Sequence, residues 1–253
     1  MRHGKSTNRR ALAWRGSASA LGAACVAFAS LGLAGTAAAQ TPAAYPTMAP
    51  AGDYLIADRS AEIALARTAA PPSVSGDAEV LALGPQGYIS AASGKNGFVC
   101  LVERAWFSGL EDDGFWNPKL RAPVCFNPEA ARSVLPSLLA RTTWAMSGVS
   151  QAEIMKRTRA EMAAGKFPAP ATGSLTFMMS KDGYLGDGPH GPWRPHLMFF
   201  MPPMPTTDWG ADLPGTRVFS TAAGVDPYTM FYVPVATWSD GTPDEAAGAH
   251  HTM

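Results

Sequence analysis

Across 253 residues the charges cancel, 20 Lys and Arg against 20 Asp and Glu, while 47% of the chain is hydrophobic. Five of the basic residues and none of the acids precede residue 40, so the following stretch of about 214 residues holds 15 basic and 20 acidic groups, a net of about minus five. That leaves no basic footprint for nucleic acid or an acidic membrane surface, and the length suits one well-buried domain without an internal repeat.

Residues 1–39 read as a signal peptide. Arg2, Lys5, Arg9, Arg10 and Arg15 form a basic region free of acid, an apolar run extends from Ala18 to Leu33, and Ala37-Ala38-Ala39 offers a small-residue cleavage site before Gln40. The chain is therefore expected to be exported, to the periplasm or the cell exterior. Arg9-Arg10 with Leu12 is a loose twin-arginine pattern in which Asn8 stands where Ser or Thr is usual, so both export routes stay open. Cys25 lies inside the apolar run and reads as a leader residue. An uncleaved anchor is the alternative, but an apolar run of roughly 16 to 18 residues is short of a full span, and no membrane span is expected in the mature protein.

Gln40 to Gly52 is rich in Ala, Pro and Thr and reads as a disordered tether over residues 40–52. From Tyr54 the pattern is helical: Ile56, Ile63 and Leu65 lie among alanines, Asp58 is placed to cap, and Pro71-Pro72 is the stop. Between Asp77 and Arg104 the period shortens to that of strands. Val80 to Leu83, Tyr88 to Ala91 and Phe98 to Val102, separated by two Gly-bearing turns, predict a meander. Both alternating sets of the third strand are apolar, which predicts a central position.

Cys100 in that strand and Cys125 in Val124-Cys125-Phe126 are the only cysteines after the leader. In an exported chain they suit one disulfide. Two buried thiols remain an alternative, given their apolar neighbours. A nucleophilic thiolate is the third reading, although no His or Gly-rich turn adjoins either residue.

Phe107 to Ala122 interrupts the regular structure with the acidic triplet Glu111-Asp112-Asp113 beside Phe115 and Trp116. Oxygen ligands for Ca²⁺ are present without the spacing of an EF-hand, and a solvated loop edge pinned by the aromatics is the simpler reading. Helices follow. Asn127 caps with Pro128 in the first turn, Pro136 forces a break near Leu135, and a second helix ends at Gly148. Ser150 and Glu153 open a third helix carrying Ile154, Met155, Thr158 and Met162 inward, up to Gly165. Lys156, Arg157 and Arg159 fall on its solvated side. Strands return at Leu175 to Met179, His196 to Met201, Val218-Phe219 and Met230 to Val235, the last taken as an edge because of Pro234. Residues 239–253 read as a disordered tail.

The candidate chemistry lies in the Gly- and Pro-rich loop from Lys181 to His196. It holds His190 and His196, the only histidines between leader and tail, with Asp187 nearby and Asp208 and Asp212 beyond the next strand. His196, His190 and Asp187 are candidate acid/base groups, since a histidine titrating near neutrality and oriented by a carboxylate suits that work. His196 opening a strand and bonding a backbone carbonyl is the structural alternative. The two histidines stand six apart with two prolines between them, which matches no known zinc spacing. No nucleophile elbow, P-loop, dinucleotide fingerprint or His-Glu-x-x-His motif occurs, and no cofactor, metal or partner is specified.

Gly97 to Arg104, Ala122 to Phe126 and Pro195 to Phe200, in this order behind a signal peptide, resemble a family of bacterial secreted proteins with no assigned activity. The resemblance implies an exported bacterial protein and brings no catalytic residues with it. The residues themselves predict a single α+β domain over 53–238, a mostly antiparallel sheet covered on one face by the helices between Asn127 and Gly165. A non-enzymatic binding or structural protein is the first functional expectation. A hydrolase-like enzyme with its site in the loop 181–196 is the alternative.

Overall fold

The computed structural model describes residues 45–107, 109–185, 194–226 and 228–245. All of them belong to the second of two units, residues 41–253. The expected leader, residues 186–193 of the candidate loop and the tail from residue 246 lie outside the described residues.

The elements follow the expected order. Helices α1 (Arg59–Arg67) and α2 (Pro72–Ser75) precede strands β1 (Glu79–Gly84), β2 (Gly87–Ala92), β3 (Val99–Glu103) and β4 (Ala122–Phe126). Helices α3 (Pro128–Ser133), α4 (Leu135–Met146) and α5 (Gln151–Ala163) come next, then β5 (Leu175–Met178), β6 (His196–Met201), β7 (Phe219–Thr221) and β8 (Thr229–Pro234). The local signals act as read. Asp58 accepts from the Ser60 amide at 2.8 Å, Asn127 from Ala130 at 2.9 Å, and Ser150 from Glu153 at 3.3 Å. The break before Pro136 falls at Val134, and Gly148 follows α4 with φ 77°, a conformation costly to any residue with a Cβ.

The eight strands form one sheet in the order β2-β1-β3-β4-β5-β6-β8-β7, antiparallel except where β3 runs parallel to β1. That exception corrects the expected meander. The Lys95 amide bonds the Asp77 carbonyl at 2.7 Å and the Glu79 amide bonds Phe98 at 2.9 Å, so the chain returns to the start of β1 before β3 begins. Gly94 permits the crossing: a Cβ there would lie 2.1 Å from the Glu79 nitrogen. The edge role assigned to Pro234 is also corrected. β8 lies between β6 and β7, but β7 ends opposite Tyr232, so Pro234 sits where only β6 adjoins it.

The helices between Asn127 and Gly165 cover one face of the sheet. There Leu101, Val124, Phe126, Met178 and Phe200 pack against Ala130, Val134, Leu135 and Leu138. The opposite face carries α1, whose Ala66 and the following Ala69 and Ala70 let the helix lie close over Val80, Cys100, Val102 and Cys125. Cys100 and Cys125 are direct cross-strand partners on β3 and β4, joined through sulfurs 1.91 Å apart and both fully buried. A third cluster gathers Tyr54, Trp106, Phe115, Trp116 and Ile154, so the aromatics of the irregular segment pin it as expected.

Packing extends past the expected span of 53–238 at both ends. Tyr45, Met48 and Ala49 pack on that third cluster, and the Tyr54 hydroxyl ties Ala49 to the carbonyl of Trp116. At the other end Asp244, 6% exposed, pairs with Arg194 at 2.9 Å. No helix among the described residues is long and apolar enough to cross a membrane.

Candidate functional site

His196 opens β6, opposite Met178 on one side and Pro234 on the other. Its Nδ1 is 2.8 Å from the Arg194 carbonyl, the contact of a donating N–H, and its ring lies 6.0 Å from that of Tyr232. Burial pushes its pKa down, partly offset by that backbone bond, so the imidazole is neutral at neutral pH. Asp187 and His190 lie outside the described residues, and only His196 of the three candidates is placed. Asp212 does not turn toward it: its carboxylate accepts from the amide and hydroxyl of Ser220 on β7, at a backbone φ of 58°. In the acidic triplet, Asp112 accepts from the Gly114 amide, a loop turn, and no three His, Cys, Asp or Glu side chains group for a metal ion among the described residues.

A different set of groups meets on the helix-covered face. Glu103 ends β3 in the same alternating row as Val99 and Leu101, so its carboxyl belongs to the core side of a strand buried on both faces. Burial raises its pKa from the usual 4.5 to about 8, against the opposing pull of Arg141.

Arg141 comes from α4 and is fully buried. It pairs with Asp226 and donates to the Trp106 carbonyl at 3.3 Å, while its Nε has no partner. Three tyrosines belong to the same cluster as Val99 and Leu101, Tyr88 of β2, Tyr228 just before β8 and Tyr232 within it. Their phenols are raised chiefly by burial and further by the Glu103 charge. Tyr88 packs edge-on to Phe107 at 5.8 Å.

Sequence reasoning passed over this set, although two signals were present. Glu103 interrupts an apolar alternation at a core position, and Arg141 falls on the apolar stripe of α4 defined by Val134, Leu138 and Ala145. Two clefts open elsewhere. One, of about 300 Å³, is lined by Arg67 and Ser75, but Arg67 is already bonded to the Ser75 carbonyl at 2.6 Å. The other, of about 490 Å³, lies between Met48, Trp116 and Ser150 and has no charged lining residue.

The state of Glu103 sets a pH dependence with a definite sign. Between the usual 4.5 and about 8 the folded protein holds a proton that the unfolded chain has released. Stability therefore falls as pH rises through that window, by at most about 1.4 kcal/mol per pH unit. Glu103→Gln is expected to match the parent at pH 4.5 and to exceed it progressively toward pH 8. Urea unfolding at several pH values checks this, and parallel stability curves for the two proteins would sink it.

Comparison of the chain with protein-family models, with curated proteins and with solved structures finds no match.

Proposed function

We propose that this chain is an exported, non-enzymatic binding protein whose ligand sits on the helix-covered face around Glu103. The carrying observation is the Glu103 carboxyl itself, half-buried at the end of β3 in the row of Val99 and Leu101, where burial raises its pKa to about 8. A carboxyl shifted this far by burial is a candidate binding-site group. Export is supported by the leader pattern of residues 1–39 and by a Cys100–Cys125 pair at bonding distance, which suits an oxidising compartment. The net charge of about minus five after that leader gives nucleic acid no electrostatic hold.

Thermal unfolding against a panel of organic cations, organic acids, sugars and nucleosides tests the reading. At least one class is expected to raise the midpoint of the parent protein and to lose that effect in Glu103→Gln. A panel that stabilises neither protein, or both equally, overturns it.

A further inference from the structure

We propose that the cleft of about 490 Å³ bordered by Met48, Trp116 and Ser150 binds an uncharged sugar ring. Neither Glu103 nor any of the three tyrosines lines it, so this site is separate from the reading above and does not depend on it. Its volume falls in the range of small-molecule sites. Three segments distant in sequence build it: residues 46–48, the loop carrying Trp116, and the turn between α4 and α5.

The walls are tied to one another before any ligand arrives. The Tyr54 hydroxyl accepts from the Ala49 amide at 3.1 Å and donates to the Trp116 carbonyl at 2.8 Å, which joins the first wall to the second. Gln151 Nε2 donates to the Leu110 carbonyl at 2.7 Å, which joins the third wall to the same loop. Beyond Gly148, at φ 77°, the Val149 amide bonds back to the Trp144 carbonyl at 3.1 Å and fixes the turn. A cleft held in this way asks little ordering of the protein on binding.

Charge is the first filter. No charged side chain lines the cleft, and those of the adjoining segments are engaged elsewhere: Glu153 pairs with Lys156 and Arg157, Glu111 with Arg159, and Glu62 with Arg104. Arg121 donates to the carbonyls of Pro118, Leu120 and Asp53. An ion entering the cleft would lose water and meet no counter-charge. Polarity is the second filter. Met48, Val149 and an edge of Trp116, 4% exposed, are apolar, whereas Thr47, Ser150 and Gln151 bring hydroxyls and a carboxamide. Ser150 Oγ accepts from the Glu153 amide and keeps its O–H to donate, and with Nε2 on Leu110 the Gln151 carboxamide has its oxygen to accept. A hydrocarbon would take water from these groups and return nothing. A sugar ring answers both sets, with hydroxyls that donate and accept around its rim and C–H groups that pack on the apolar walls.

Titration calorimetry of the purified protein at pH 7 with glucose, galactose, mannose and N-acetylglucosamine tests the assignment. Saturable heat is expected with at least one of them. Ala152→Trp places a large ring in the cleft from an exposed position in the first turn of α5 and should weaken that binding at least about tenfold. The same change at Ala160, exposed farther along α5 and outside the lining, should leave it as in the parent. Thr47→Val removes a hydroxyl with little change of shape and should weaken binding about fivefold. Circular dichroism checks that each variant is folded. No saturable heat with any of the four sugars, or equal affinity in Ala152→Trp, overturns the proposal. If Glu103→Gln loses the sugar while Ala152→Trp keeps it, the ligand belongs with Glu103: the cleft assignment falls and the earlier binding reading stands.

Discussion

Replacing Arg104 by methionine is expected to lower the unfolding free energy by about 3–5 kcal/mol, the cost of leaving a buried charge without its partner. Arg104 is completely buried, and its Nη2 lies 2.9 Å from Glu62 Oε1 of α1, itself 1% exposed. The other guanidinium nitrogens donate to the carbonyls of Tyr54, at 2.6 Å, and Val102. Glu62 Oε1 also accepts from the Leu83 amide at 3.2 Å. One ion pair therefore ties α1, the turn ending at Tyr54, β1 and β3 together on the face opposite the longer helices. Truncating the arginine strands the Glu62 carboxylate and deprives two carbonyls at once. The double change Glu62→Leu with Arg104→Met removes both charges and is expected to cost less than Arg104→Met alone. Urea unfolding with unchanged slope measures all three proteins. A single-variant loss below about 1 kcal/mol, or a double variant no better than the single, would show that the pair does not carry this junction.

Removing the disulfide with Cys100→Ala and Cys125→Ala should cost about 3.5 kcal/mol. The bond spans a sequence separation of 25, and the chain-entropy relation for a loop of that size gives that figure. Alanine keeps the site apolar, so the loss reports the cross-link plus two small side chains rather than a new buried polar group. Because both sulfurs are fully buried between β3 and β4 under α1, reductant is also expected to act only when the sheet opens. Mass spectrometry of the parent should show a two-hydrogen deficit with Cys100 linked to Cys125. Two freely alkylated thiols in the non-reduced native protein, or an unfolding midpoint unchanged by the double replacement, would refute a cross-linked sheet centre.

The two parts of the sequence reading fared differently for a physical reason. Helix ends were legible because a cap is a contact between residues two or three apart: Asp58 with Ser60, Asn127 with Ala130, Ser150 with Glu153. The strand His196–Met201 was legible by apolar content bounded by prolines, and the α+β class by the order of such segments. The order of strands was not. A turn at Gly94 to Gly97 looks the same in sequence whether the next strand pairs with β2 or crosses to β1, and the choice is made by the Lys95–Asp77 and Glu79–Phe98 backbone bonds.

The candidate site divides along the same line. His196 was named because its residue type and loop context are local properties, and the fold gives it a carbonyl partner and a buried, lowered pKa. Glu103, the buried Arg141 and the tyrosines of the Leu101 cluster come from β3, α4, β2 and the segment leading into β8, residues that no shared spacing connects. By itself the sequence determined the segments, their caps and the imbalance of charge after residue 39, since each depends on near neighbours or on composition, while the pairing of Cys100 with Cys125 took the β3–β4 register. Only the tertiary structure decided that β3 runs beside β1, that β8 is interior, and that Tyr88, Tyr228 and Tyr232 join the cluster of Leu101 on one face, because long-range pairing fixes which distant faces meet.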